Sequence, residues 1–106
     1  MPRSLGDRTL RILAAVRDGA RYGLDIVDRT GLPSGTVYPV LARLRSRRLL
    51  ESRWEDDDVA EREGRPRRKY HRLTSEGYRV LEEAAELLGR PVPGILGGEA
   101  GAGGSA

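Results

Sequence analysis

Two groups of side chains in this sequence have types and spacing that could do chemistry, and in both the chemistry is recognition of an anion. The first lies in SGTVYPVLARL, from Ser34 to Leu44. On a 3.6-residue period Val37, Val40, Leu41 and Leu44 share one side of a helix, while Gly35, Pro39, Ala42 and Ser46 share the opposite side. The apolar side is core. The other has almost no bulk and is flanked by the hydroxyl and guanidinium groups of Thr36, Tyr38, Arg43, Arg45 and Arg47. Such an edge can approach something wide and anionic while longer side chains reach past its rim, as a helix does in a DNA major groove. The second group is Arg65, Arg67, Arg68 and Lys69, a dense basic run suited to phosphate. It follows an acidic half, Asp56, Asp57, Asp58, Glu61 and Glu63, which phosphate binding requires to be turned away. The competing reading is a solvated loop whose charges cancel.

Other chemistries find little support. There is no Cys, which removes disulfides, thiol catalysis and thiolate metal sites. His71 is the only histidine, and a lone His on a strand is expected to be structural. No phosphate loop or buried carboxylate pair is recognisable, so the sequence predicts no enzyme, no cofactor and no metal site; Asp56 to Asp58 attract cations only as any exposed acidic run does. No apolar run approaches a membrane span and MPRSLGDRTL lacks a signal-peptide core, which predicts a cytoplasmic protein without a membrane partner. Charge is segregated along the 106 residues. Residues 1–48 carry ten Arg against four acids, 49–64 two against seven, 65–73 five basic groups and no acid, and the remainder two against five. All basic residues but Lys69 are Arg, which can fork onto phosphate or guanine, although a GC-rich genome produces the same bias.

The elements that must position these groups follow from period and punctuation. Leu5, Leu10, Leu13, Ala14 and Val16 recur at helical spacing over Ser4 to Arg17, and Gly19 follows. Tyr22 to Thr30 predicts a short second helix ended by Gly31, and Ser34 is placed to cap the third. Pro39 deletes one backbone bond inside that helix, which predicts a slight bend. The pattern is helix, turn, helix. From Leu50 to Trp54 the period becomes alternating, with Leu50, Ser52 and Trp54 on one face and Glu51, Arg53 and Glu55 on the other, and it alternates again over Arg68 to Leu73. This predicts a hairpin with a long charged loop, EDDDVAEREGRPR, directly behind the third helix: a wing.

Thr74 caps a last helix, with Glu76 in its first turn. Its apolar residues form two rows, Tyr78, Leu81, Ala85 and Leu88 beside Val80, Ala84 and Leu87. One row suffices for a core, so the other predicts a partner, most simply a second copy of the chain. Beyond Gly89 the sequence is too poor in apolar side chains to order itself. The fold expected is mainly α with a small β-hairpin: a winged helix-turn-helix domain over 1–73, a dimerisation helix over 74–88 and a disordered Gly/Ala-rich tail over 89–106. Leu5, Tyr78, Leu81, Ala85 and Leu88 are the expected dimer contacts.

These residues resemble the PadR-like family of bacterial transcriptional regulators. The resemblance runs through Tyr22-Gly23-Leu24-Asp25-Ile26, Ser34-Gly35-Thr36-Val37-Tyr38-Pro39-Val40-Leu41, Leu49-Leu50-Glu51-Ser52-Arg53-Trp54, Gly64-Arg65-Pro66-Arg67-Arg68-Lys69-Tyr70 and Leu73-Thr74-Ser75-Glu76-Gly77. It implies a winged helix-turn-helix homodimer that represses transcription from a roughly palindromic operator. Carried onto this sequence, it implies DNA contacts at Ser34, Gly35, Thr36, Tyr38, Pro39 and Arg43 in the recognition helix, and at Arg65, Arg67, Arg68 and Lys69 in the wing. Three departures stand out: His71 occupies a position where the family commonly has Tyr, the last helix is short and followed by Pro91 and Pro93, and that helix has no Trp. Some relatives bind flat aromatic drugs between Trp residues in a dimer pore. Trp54 lies instead in the strand, so a small-molecule effector is left open without residue support. The alternative function is a winged-helix protein-interaction module, which would not need the density of charge from Arg65 to Lys69.

Overall fold

A computed structural model describes residues 5–94. Its first helix, α1 (Asp7–Arg17), buries Ile12, Leu13, Ala14, Ala15 and Val16 in succession. A helical segment buried on every side places the second half of α1 at the centre of the protein. Accordingly α1 packs against four elements: α2 (Gly23–Thr30), α3 (Ser34–Ser46), strand β2 (Lys69–Leu73) and α5 (Ser75–Leu88). Strand β1 (Leu50–Trp54) pairs antiparallel with β2, in a register running from Leu50 opposite Leu73 to Trp54 opposite Lys69. Tyr22 adds a single bridge to Tyr70, so the wing hairpin is tied to the turn before α2.

The turn between α2 and α3 is built differently from expectation. Gly31 does end α2 in the left-handed region, at φ 72°. Pro33, however, takes the cap position of α3, and Ser34 is the first helical residue with no side-chain cap bond. The organising hydroxyl is that of Thr30, which is fully buried, donates to Ile26 O at 2.7 Å and accepts from Leu32 N at 3.2 Å.

Three further segments depart from the sequence reading. The loop expected between the strands contains a seven-residue helix, α4 (Asp57–Glu63). Asp57 and Asp58 lie in its first turn, where carboxylates favour the helix dipole, Ala60 is buried beneath it, and Gly64 ends it at φ 69°. Glu55, assigned to the outward face of β1, is buried. Finally, the first residues of the expected tail are packed: Arg17 Nη2 donates to Val92 O at 2.7 Å, Val92 is buried, and Gly94 lies so close to Ala14 that a Cβ would sit 2.5 Å from its backbone. The rest of that tail, 95–106, lies outside the described residues.

The last helix begins as expected. Thr74 Oγ1 accepts from Gly77 N at 3.0 Å and donates to Arg48 O at 2.7 Å, which fastens α5 to the turn leaving α3. Gly77 has to be glycine because a Cβ there would meet Leu49 O at 2.4 Å. Of the expected dimer residues, Leu81 is 3 % exposed and belongs to the protomer's own core, and Leu5 also packs against that core. Tyr78 and Leu88 remain half exposed, Ala85 is intermediate, and Leu87 is 88 % exposed.

Candidate nucleic-acid interface

The two edges of α3 are separated as their composition requires. Val37, Val40, Leu41 and Leu44 are buried, while Ser34, Gly35, Pro39, Ala42, Arg43, Ser46 and Arg47 are exposed and Thr36 is intermediate. Tyr38 leans back on α2: its ring occupies the space that a Cβ on Gly23 would take, with contacts of 2.3–2.5 Å to that hypothetical atom. It therefore presents one face, with 47 % of its surface exposed. The small edge forms one wall of a cleft of about 650 Å³ whose other wall is the start of α1, Gly6 to Thr9. Sequence reasoning did not include α1 here; Arg8 and Thr9 carry no signal that separates them from any exposed helix start.

The wing is organised around Glu55. Its two carboxylate oxygens accept a fork from Arg65 (2.7 and 2.9 Å), the Tyr70 hydroxyl (3.0 Å) and the Arg68 backbone N–H (3.2 Å). The fork from Arg65 holds the carboxyl well below its ordinary range, at about 2, and Glu55 raises Arg65 in turn. Arg65 is thus an internal partner of the wing. Arg67 donates to Glu55 O at 3.0 Å and pairs with exposed Asp57 at 3.1 Å. Asp57 of the acidic half is therefore paired with Arg67 of the basic half, as in the competing reading in which charges of the loop cancel.

Three cations of the basic run, Arg67, Arg68 and Lys69, also lie against aromatic rings. The Arg68 guanidinium carbon is 3.9 Å from the centre of the Tyr22 ring, and Arg67 Cζ and Lys69 Nζ are each 5.2 Å from the centre of Trp54. Tyr22 and Tyr70 meet edge to face at 5.9 Å. His71 is buried, with Nδ1 2.6 Å from Ser52 Oγ. Burial, helped by the positive charges of Arg45 and Lys69, pushes it down to about 4, so it is neutral at neutral pH. Glu55 and Thr30 were the organising residues that sequence reasoning missed, because neither breaks the alternation or the helical period around it.

A recognition-type helix with an exposed small edge, followed by a two-stranded hairpin carrying basic side chains, narrows the comparison to winged-helix proteins, and the sequence profile of the Transcriptional regulator PadR-like family matches residues 12–83. The chain belongs to the PadR-like family. Solved structures agree. A PadR family transcriptional regulator from Eggerthella lenta superposes with a TM-score of 0.62 at 28% identity, covering 78% of this chain and 75% of that one. A PadR family transcription regulator from hypervirulent Clostridium difficile gives 0.63 at 26% identity, over 79% and 92%. BpsR of Bordetella bronchiseptica, whose DNA binding is regulated by 6-hydroxynicotinic acid, gives 0.68 at 25% identity over 84% of this chain. The PadR-like chain spans 64% of the length of BpsR. No curated protein matches it significantly. Among the described residues no helix is long and apolar enough to cross a membrane.

Proposed function

We propose that this PadR-like chain is a sequence-specific DNA-binding repressor that acts as a homodimer on a roughly palindromic operator. The observation that carries the reading is the exposed small edge of α3, backed by a fully buried apolar edge: it leaves Gly35, Pro39 and Ala42 free to approach base edges while Thr36, Tyr38 and Arg43 reach beyond them. Phosphates flanking the major-groove contact are taken by Arg67, Arg68 and Lys69, with Arg65 holding the wing in shape. Residues 1–73 supply the DNA-binding part and 74–88 the dimer contact, which uses Tyr78, Ala85 and Leu88, together with Leu87. Two α3 helices presented about one duplex turn apart, 34–36 Å, would match the symmetry of the operator.

The test is fluorescence anisotropy of the purified chain with duplex DNA from upstream of its own gene and with a scrambled duplex, across a salt series. Tight binding to the first, weaker binding to the second and a log–log salt slope of about −0.9 per neutralised phosphate are the expected results. Thr36→Ala should reduce the preference between duplexes, and Arg67→Ala should lower affinity for both. Absence of binding by the folded protein at low salt would overturn the proposal in favour of a protein-interaction module.

A further inference from the structure

Trp54 is the one tryptophan of the chain, and its place in the fold is not accounted for by packing. It shares a sheet face with Leu50 and Ser52, opposite Leu73, His71 and Lys69 in register. Along that face burial ends abruptly: Leu50 and His71 are 2 % and 7 % exposed, whereas Trp54, at the tip, is 53 % exposed. A large aromatic ring left half in water contributes little to a core it does not reach. It is nevertheless held, because Lys69 faces it across the strands and Arg67 approaches the same ring, each cation 5.2 Å from its centre. Arg67 is itself anchored to the backbone at Glu55 O. The result is a fixed apolar plate with two adjacent positive charges. Two carboxylates lie near it: Glu55, already taken by Arg65 and Tyr70, and Asp57, whose exposed carboxylate lies 3.1 Å from Arg67 and would have to give way to a competing anion.

The polymer whose surface alternates apolar and anionic units on this scale is the sugar–phosphate backbone of a nucleic acid. We propose that Trp54 is a backbone-contacting residue of the wing, its indole lying against a deoxyribose of duplex DNA while Arg67 and Lys69 take the neighbouring phosphates. The inference rests on the DNA-binding reading above and extends it to an uncharged residue. It assigns Trp54 a contact that adds affinity without reading sequence, since every nucleotide offers the same sugar.

Trp54 emission reports on this site without any label, because no other tryptophan contributes. In a titration of the full chain with the upstream duplex, emission intensity and wavelength should change with the midpoint seen by anisotropy. Trp54→Leu should weaken binding to the upstream and scrambled duplexes alike, by about fivefold, the lower end of what an aromatic contact to nucleic acid contributes. The ratio between the two duplexes, the far-ultraviolet circular dichroism and the melting temperature should stay unchanged. Binding seen by anisotropy with constant Trp54 emission and native affinity in Trp54→Leu would overturn the proposal while leaving DNA binding intact. A loss confined to the upstream duplex would overturn it in favour of a base contact. If the native chain bound no duplex, the DNA reading and this inference would fall together, whereas a silent tryptophan in a DNA-bound protein removes only the latter.

Discussion

At the scale of single residues, two buried titratable groups separate two pH windows. His71 sits at about 4 in the folded chain against an ordinary 6.5, so the unfolded chain takes up a proton first. Stability is fully present above pH 6.5 and falls as pH drops toward 4, by on the order of 3 kcal/mol. Glu55, held at about 2 against 4.5, has the opposite origin but the same direction: its contribution is complete above 4.5 and is lost as pH falls toward 2. Urea unfolding at a series of pH values should therefore show His71→Leu flattening the slope between 6.5 and 4, and Glu55→Gln flattening it between 4.5 and 2. A third expectation concerns the exposed pair at the wing. On the DNA-binding proposal, Asp57→Asn removes a carboxylate that would compete with phosphate for Arg67, so affinity for any duplex should rise several-fold in anisotropy, most strongly at low salt.

At the scale of elements, the close approaches make two glycines behave differently. Gly77→Ala forces a methyl onto Leu49 O, a backbone atom at 2.4 Å, and onto Leu73 Cδ2 at 3.2 Å, so α5 must shift; a loss of about 1–3 kcal/mol in urea unfolding is expected. Gly23→Ala meets first the end of the Tyr38 side chain, which is half exposed and can swing away. Its stability should change little, and its effect should appear as an altered preference between duplexes because Tyr38 has left its seat on α2. Helices α1, α2, α3 and α5 and both strands were legible from period and punctuation, since each has a buried side that repeats at its own spacing. What was not legible depended on partners distant in sequence. Glu55 looks outward by alternation and is drawn in by Arg65, ten residues on; Leu81 looks like half of a second stripe and is claimed by the core; Val92 sits in a Gly- and Pro-rich stretch and is ordered by Arg17. The α4 helix is the exception, because Asp56-Asp57-Asp58, Ala60 and Gly64 spell a start, a buried contact and a stop within one loop. At the candidate site, the α3 edge was readable in full, whereas the wing was readable as basic but not as internally paired.

For the molecule as a whole, α5 separates the core, which claims Leu81, from an exposed apolar face of Tyr78, Leu87 and Leu88. Leu81→Ala should cost about 2–5 kcal/mol in urea unfolding of the protomer, because it opens a cavity under α5. Leu87→Glu should leave protomer unfolding unchanged and, on the dimer proposal, shift sedimentation equilibrium toward monomer and lower apparent affinity for a two-site operator far more than for a half-site. The partition of α3 has a consequence of another kind. Its structural demands are met by Val37, Val40, Leu41 and Leu44, all on the buried side, while Gly35, Ala42, Arg43 and Arg47 support no internal contact that the fold needs. Exchanging these outward residues therefore draws on almost none of the protein's marginal stability, and on the DNA-binding proposal the recognised sequence can drift, after gene duplication or in the laboratory, along a path on which every intermediate still folds.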